Sequence, residues 1–339
     1  MDSLMEAMNF SEEFVVMATW SIKPQVIGGV DAPFFAVCPA TCMLAAVAEG
    51  RVHVYSFADT VDGLQFLWSI GSCLRWHADG RLQVGGSSRA IPDLGHVTFV
   101  GPGALAIACV DGVRFVDVVT KRELTDNMVH MAIPLALAWH PTMQVLAVVV
   151  HGSSTDEIVV LGDLFRGSTE PHPEEDPRVV RRKRVSRVGP SCSVAWADGN
   201  HLLMVHGNHR DLVVYSRYLN ECQAVRVGRW SQPPKLAHGF GEWCWVVTTD
   251  AGVSLVDPAA GVIGGAQPFL PAPHIHDIAG AESVAWHPGN GLFVRTHSST
   301  IVVMGPPDVA AMWRMSVMRV AWMVAACRGS RHMGKAAFE

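Results

Sequence analysis

One unit keeps returning along this chain: an apolar stretch ending in a large aromatic, a His-Pro or Asp-Gly turn, an aliphatic strand, and a further strand opening near Gly or Asp. It reads Leu137-Ala138-Trp139-His140-Pro141 in one copy, Val194-Ala195-Trp196-Ala197-Asp198-Gly199 in another, and Val284-Ala285-Trp286-His287-Pro288-Gly289 in a third. A unit this small cannot bury its own apolar faces and needs its neighbours, so the recurrence predicts a repeat architecture.

Within each copy, β-branched and aromatic residues run in short stretches punctuated by Gly, Asp, Asn and Pro, which predicts strands joined by tight turns. The third strand of the unit recurs near Val52, Val113, Ile158, Leu212, Val253 and Ile301. The one oversized gap, between Val52 and Val113, holds an abbreviated copy that opens at Cys73-Leu74-Arg75-Trp76 and weakens over 87–93. Counting it gives seven units at a mean spacing of about 40 residues, the period of a propeller blade. The expectation is therefore an all-β, seven-bladed β-propeller, with six blades left open if the weak copy is only an excursion. Phe14-Val15-Val16-Met17-Ala18-Thr19-Trp20 has the length of a strand that completes the last blade and so removes a free edge.

The copy around Gly95-His96 carries a resemblance. It continues into Val97-Thr98-Phe99 and ends on Asp111-Gly112-Val113-Arg114-Phe115-Val116-Asp117, with Val116 at the place of a Trp. In this it resembles the WD40 repeats, whose unit has a Gly-His before its first strand and a Trp-Asp closing its third. The resemblance covers about residues 14–304 in architecture and implies a rigid disc that binds other proteins. A narrower one lies in Leu67-Trp68-Ser69 followed by Cys73-Leu74-Arg75-Trp76-His77-Ala78-Asp79-Gly80-Arg81-Leu82. That run is similar to the join between the first two blades of the anaphase-promoting complex subunit 4 propeller. Intraflagellar-transport and coat propellers have similar joins.

The expected organisation is an N-terminal tail at 1–13, a propeller over 14–308 with a charged loop inserted at 167–190, and a C-terminal extension at 309–339. In the extension, Val309, Met312, Trp313, Val317, Val320, Ala321 and Val324 follow helical spacing behind Asp308, while Val320-Ala321-Trp322 matches the opening strand of the repeat. Helix and extra strand both stay open there.

The inserted segment begins with Glu170, Glu174, Glu175 and Asp176 among prolines and turns basic at Arg178, Arg181, Arg182, Lys183, Arg184 and Arg187. Prolines and blocks of charge predict a projecting solvated loop. Those six cations are the candidate interaction residues. Ser186, behind the basic run, is a candidate phosphosite. A nuclear-localisation signal or a contact to an RNA phosphate backbone are further readings of 178–187, but no aromatic residue interleaves the run, so base stacking is not expected.

No nucleophile elbow, P-loop or dinucleotide fingerprint occurs, which excludes the commonest sequence-legible catalytic sites. The cysteines are scattered through apolar strands without a C-x-x-C pair and read as buried free thiols of a reducing compartment. Cys38 and Cys42, the trio His201, His206 and His209, and the run His274-Ile275-His276-Asp277 are the nearest approaches to a metal set, and each reads better as packing or turn chemistry. The His of His140-Pro141 and His287-Pro288 recurs at one place in the unit, which marks it as structural. No catalytic residue, metal or cofactor is therefore expected.

Net charge is −5, so the whole chain is not a polyanion binder. Charged residues are 17% of the chain, against about 25% in an average soluble protein. Either partners cover part of the surface or an all-β core from a biased genome explains it. The acidic start lacks the pattern of a signal peptide or presequence, and no apolar run is long enough to span a membrane. The expectation is an intracellular, cytoplasmic or nuclear protein: a non-catalytic WD40-like scaffold subunit that binds other protein subunits of a larger complex. The alternatives are a propeller enzyme of the lactonase or glycosidase kind, and an RNA contact through 178–187.

Overall fold

A computed structural model describes the chain between residues 15 and 305. Residues 1–14, 22–34, 58–63, 90–95, 166–177, 227–234, 257–280 and 306–339, with short stretches between strands, lie outside the described residues. The N-terminal tail and the C-terminal extension expected at 309–339 fall among these.

Every described element is a strand and every pairing is antiparallel, as short β-branched runs joined by tight turns require. Blade I comprises Phe35–Val37, Met43–Ala48, Arg51–Ser56 and Gln65–Gly71. Blade II comprises Val97–Phe99, Ala104–Cys109, Gly112–Asp117 and Arg122–Glu123, with Val129–His130 also pairing on its third strand. Blade III is Pro134–His140, Val145–Val150, Asp156–Leu161 and Val179–Val185. Blade IV is Ser193–Trp196, His201–Val205, Asp211–Ser216 and Glu221–Arg226. Blade V is Ala281–His287, Gly291–Thr296 and Thr300–Gly305, completed by Val15–Ser21 from the start of the chain.

The described residues thus form five blades, not the seven or six expected from the repeat count. The copy at 73–93 makes only a three-stranded sheet of Arg75–Trp76, Leu82–Val84 and Ser87–Arg89, and the copy at 236–257 another of Lys235–His238, Cys244–Thr248 and Gly252–Val256. The first strand of blade I packs directly against the first strand of blade II. Two neighbouring copies in sequence are therefore not always neighbouring blades in space. The join at 67–82 divides likewise: Trp68 is buried between blades I and II, while Arg75–Trp76 starts the short sheet.

The latch strand forms as expected. Val15–Ser21 pairs along Thr300–Gly305 with a bulge at Val16/Ala18, so both ends of the described chain meet in one sheet. Trp20 stacks on Phe57 of blade I, centroids 6.1 Å apart, and meets Phe293 of blade V in a tilted contact at 5.9 Å, which ties the latch to both sides of the closure.

The core lies between blades rather than inside any one of them. One buried cluster joins blades I and II through Ala45, Val54, Trp68, Phe99 and Leu105. Others join II to III, III to IV, and V to I. Ala104–Cys109 is buried at every position, because a central strand has a neighbouring blade on each face. At about 1.5–3 kcal/mol for each large aliphatic side chain fully buried, these interfaces outweigh any single polar contact.

Two polar features hold turns and an interface. His140 Nδ1 accepts the Met143 N–H at 3.0 Å and so closes the turn after its strand, while its ring meets the edge of Trp196 from blade IV, centroids 5.6 Å apart. Asp117 Oδ1 accepts the N–H groups of Val119 and Thr120 at 2.9 and 2.6 Å, and its bonds to Thr120 hold the carboxyl below the usual range.

Candidate functional site

The basic run predicted to be a loop is largely a strand. Over Val179–Val185 the chain is the outer strand of blade III, paired antiparallel with Asp156–Leu161, so the insertion expected at 167–190 does not extend through its basic half. Exposure alternates along it: Val180, Arg182 and Arg184 are exposed, and Val179, Arg181 and Lys183 are half-buried. An outer strand has only one neighbouring strand, so a polar sequence suffices where a central strand needs apolar residues on both faces. The available signal was arithmetic, since blade III lacked a fourth strand and this was the next stretch with β-branched ends.

Both ends of the strand are pinned. At the start, the Arg178 carbonyl accepts the Gly162 N–H at 2.8 Å, and the buried Arg178 guanidinium donates to the Met128 carbonyl at 2.8 Å, reaching the segment before blade III. A guanidinium out of water must have its donors satisfied, which makes Arg178 a structural tie rather than a contact residue. At the end, the fully buried Asp156 takes the Val188 N–H on Oδ2 at 2.8 Å and the Gly152 N–H on Oδ1 at 3.2 Å, with His151 Nδ1 3.1 Å from the same oxygen. One carboxylate thus clamps the turn entering the third strand and the chain leaving the fourth. Arg187 donates to the Ser153 carbonyl on the same turn, and Ser186 is exposed between these anchors.

Between the pins, the cations divide by face. Arg184 and Arg182 lie 3.3 and 3.8 Å from opposite oxygens of Glu157, the residue directly paired with Arg184. Two guanidinium groups therefore share one carboxylate at an exposed surface, where such pairs contribute about 0–1 kcal/mol and leave a positive charge over. On the other face, Arg181 lies over the Tyr218 ring at 4.4 Å and Lys183 over Tyr215 at 5.1 Å, both on blade IV; Arg217 meets Tyr218 as well, at 4.7 Å. Burial pushes the Tyr215 phenol far above its ordinary value, and the nearby Glu221 charge adds to this, so it stays protonated under Lys183.

These aromatic partners were missed in the sequence because they stand more than 30 residues away from the basic run. They do not interleave it; the fold brings them from the next blade. Of the six candidate interaction residues, the structure brings Arg181, Arg182, Lys183 and Arg184 into one strip with Arg187 at its end, and withdraws Arg178 into the interior.

The other candidates are structural or undescribed. Cys38, Cys109 and Cys192 are buried and in no disulfide, Cys38 pointing at the Gly101 carbonyl of blade II at 3.8 Å. His201 is half-buried and His206 buried, while His209 and His274-Ile275-His276-Asp277 lie outside the described residues. Among the described residues, no three His, Cys, Asp or Glu side chains stand together as a metal set. No helix among them is long and apolar enough to cross a membrane.

No protein-family model matches the chain, and no curated protein matches it in sequence. Solved structures do resemble it in fold. Hydrazine synthase of Kuenenia stuttgartiensis aligns over 81% of this chain and 83% of its own, with a TM-score of 0.51 at 12% identity. The Dos1 propeller aligns over 80% of this chain and 67% of its own, with a TM-score of 0.48 at 11% identity. At such identities the likeness concerns fold alone. The described residues form an all-β propeller.

Proposed function

We propose that this chain is a non-catalytic, WD40-like propeller scaffold, an intracellular subunit that binds other proteins within a larger assembly. The observation that carries the reading is the outer strand of blade III: a cationic strip on a sheet edge, pinned at both ends by Arg178 and Asp156 and flanked by the exposed apolar side chains of Val180 and Tyr218. A rigid cationic edge with apolar flanks suits selective protein recognition, because charge sets orientation and encounter rate while the apolar groups add affinity. The buried thiols accord with a reducing compartment.

Affinity capture of the full chain from its native extract, with sizing and mass spectrometry of what co-elutes, tests the proposal. A fixed set of subunits at constant stoichiometry is expected. A monomer carrying stoichiometric metal, or one that turns over a lactone or glycoside, overturns it.

A further inference from the structure

Blade III ends on an edge. Its strand order stops at Val179–Val185, and among the described residues no further strand pairs with it. An edge strand presents alternate N–H and C=O groups outward, ready to bind another extended chain. Four consecutive positions of this edge, Arg181 to Arg184, are cationic, and Arg182 and Arg184 share an exposed face. We propose that this edge takes an acidic, extended peptide segment of a partner protein as a fifth strand of blade III, with carboxylates at alternate positions facing Arg182 and Arg184. This rests on the scaffold reading and names the chemistry of one of its partners.

Three observations select that occupant. First, charge: Glu157 is the one carboxylate within 4 Å of Arg182 and Arg184 among the described residues, and Arg184 keeps 82% of its side chain exposed. A carboxylate on an added strand would sit opposite each guanidinium, about 5 Å away between Cβ atoms, on the side away from Glu157.

Second, period: side chains on one face of a strand repeat every second residue, roughly 7 Å apart, so carboxylates at alternate positions of a paired peptide strand repeat in step with Arg182 and Arg184. The backbone donors of the edge are also met by a peptide's carbonyls. For single-stranded RNA the aromatic faces needed for stacking are engaged instead, Tyr218 by Arg181 and Arg217, and Tyr215 by Lys183.

Third, exclusion of self: a second copy of this edge would set cation against cation, the arrangement by which native edges resist pairing with themselves. The register shift at Val160/Leu161 limits the regular pairing surface to 181–185 and leaves Val180 exposed beside it.

The test uses the full chain and a fluorescein-labelled nine-residue peptide alternating Glu and Val, followed by anisotropy near 0.15 M salt. Saturable binding is expected, weakened about tenfold or more by R182E with R184E and by N-methylation of alternate peptide amides, which removes donors from one edge at constant charge. Unchanged thermal unfolding of the double variant shows that its fold is kept. No binding, or equal binding of the N-methylated peptide, overturns strand addition. So does preferential binding of an oligouridylate of equal length, or a concentration-dependent dimer that R182E with R184E abolishes. If capture from extract returns the same assembly with wild type and double variant, the scaffold reading stands and this one falls.

Discussion

Trp196 Nε1, on the first strand of blade IV, donates to the Ala138 carbonyl on the first strand of blade III at 3.2 Å, in a fully buried setting. The recurring aromatic of the repeat therefore joins one blade to the next. Trp139 occupies the equivalent place one blade earlier and packs into the cluster between blades II and III.

Trp196→Phe keeps most of the ring and removes the donor, leaving a buried carbonyl short of a partner. The expected loss is about 1–3 kcal/mol, while Trp196→Ala adds a cavity and costs about 3–5 kcal/mol. Both are read as shifts of the denaturant midpoint at unchanged slope, and a loss below about 0.5 kcal/mol for Trp196→Ala would remove this residue from the interface account.

The latch strand makes a stronger claim about closure. Trp20→Ala should cost about 3–5 kcal/mol, since the indole is buried between Phe57 and Phe293. Deleting the first 21 residues exposes the edge of Thr300–Gly305 and should produce association that a synthetic peptide of residues 15–21, added in trans, suppresses. Sedimentation with and without the peptide decides it.

Asp156→Ala removes the acceptor of the Val188 and Gly152 N–H groups together. Stability should fall by about 3 kcal/mol or more, because charge-assisted bonds in the interior are lost and buried donors are stranded. Hydrogen exchange supplies the sharper readout: amides of residues 179–188 should lose protection first, ahead of Ala104–Cys109. Uniform loss across both would mean that Asp156 does not clamp the outer strand.

Gly112 has φ of +141°, a region that L side chains avoid, and a Cβ there would overlap the Val129 carbonyl. Gly112→Ala should therefore cost about 2 kcal/mol or more, seen as a lowered melting temperature. Gly103→Ala, with open space around it and no positive φ, is the control and should shift little.

Burial holds the His287 imidazole below its ordinary value of 6.5, partly offset by a hydrogen bond to the Thr41 backbone. The unfolded chain then takes up a proton before the folded one does. The His287 contribution is complete above about pH 6.5 and is lost as pH falls through the window below it, down to the folded value. Comparing denaturant midpoints of wild type and His287→Gln from pH 8 to 5, the two should converge as pH falls. A difference constant across that range would remove His287 from the acid response.

What the sequence determined by itself is the class of fold and the places where packing is two-sided. Ala104–Cys109 and Val145–Val150 read as strands because a blade lies on each face of them and water on neither, so their residues had to be apolar throughout. The latch was legible for a similar reason, as a strand of the right length left over at one end. The outer strand Val179–Val185 was not legible as a strand, since only one edge and part of one face are covered and Arg and Lys stems suffice there. Tertiary structure alone decided three things. It set the blade count, because blade I packs on blade II past the intervening copy. It drew Arg178 inside, because the Met128 carbonyl that receives it stands 50 residues back in the chain. It also placed Tyr215 and Tyr218 under Lys183 and Arg181, turning a run of like charges into a braced strip, because contacts between blades join residues that no local pattern relates.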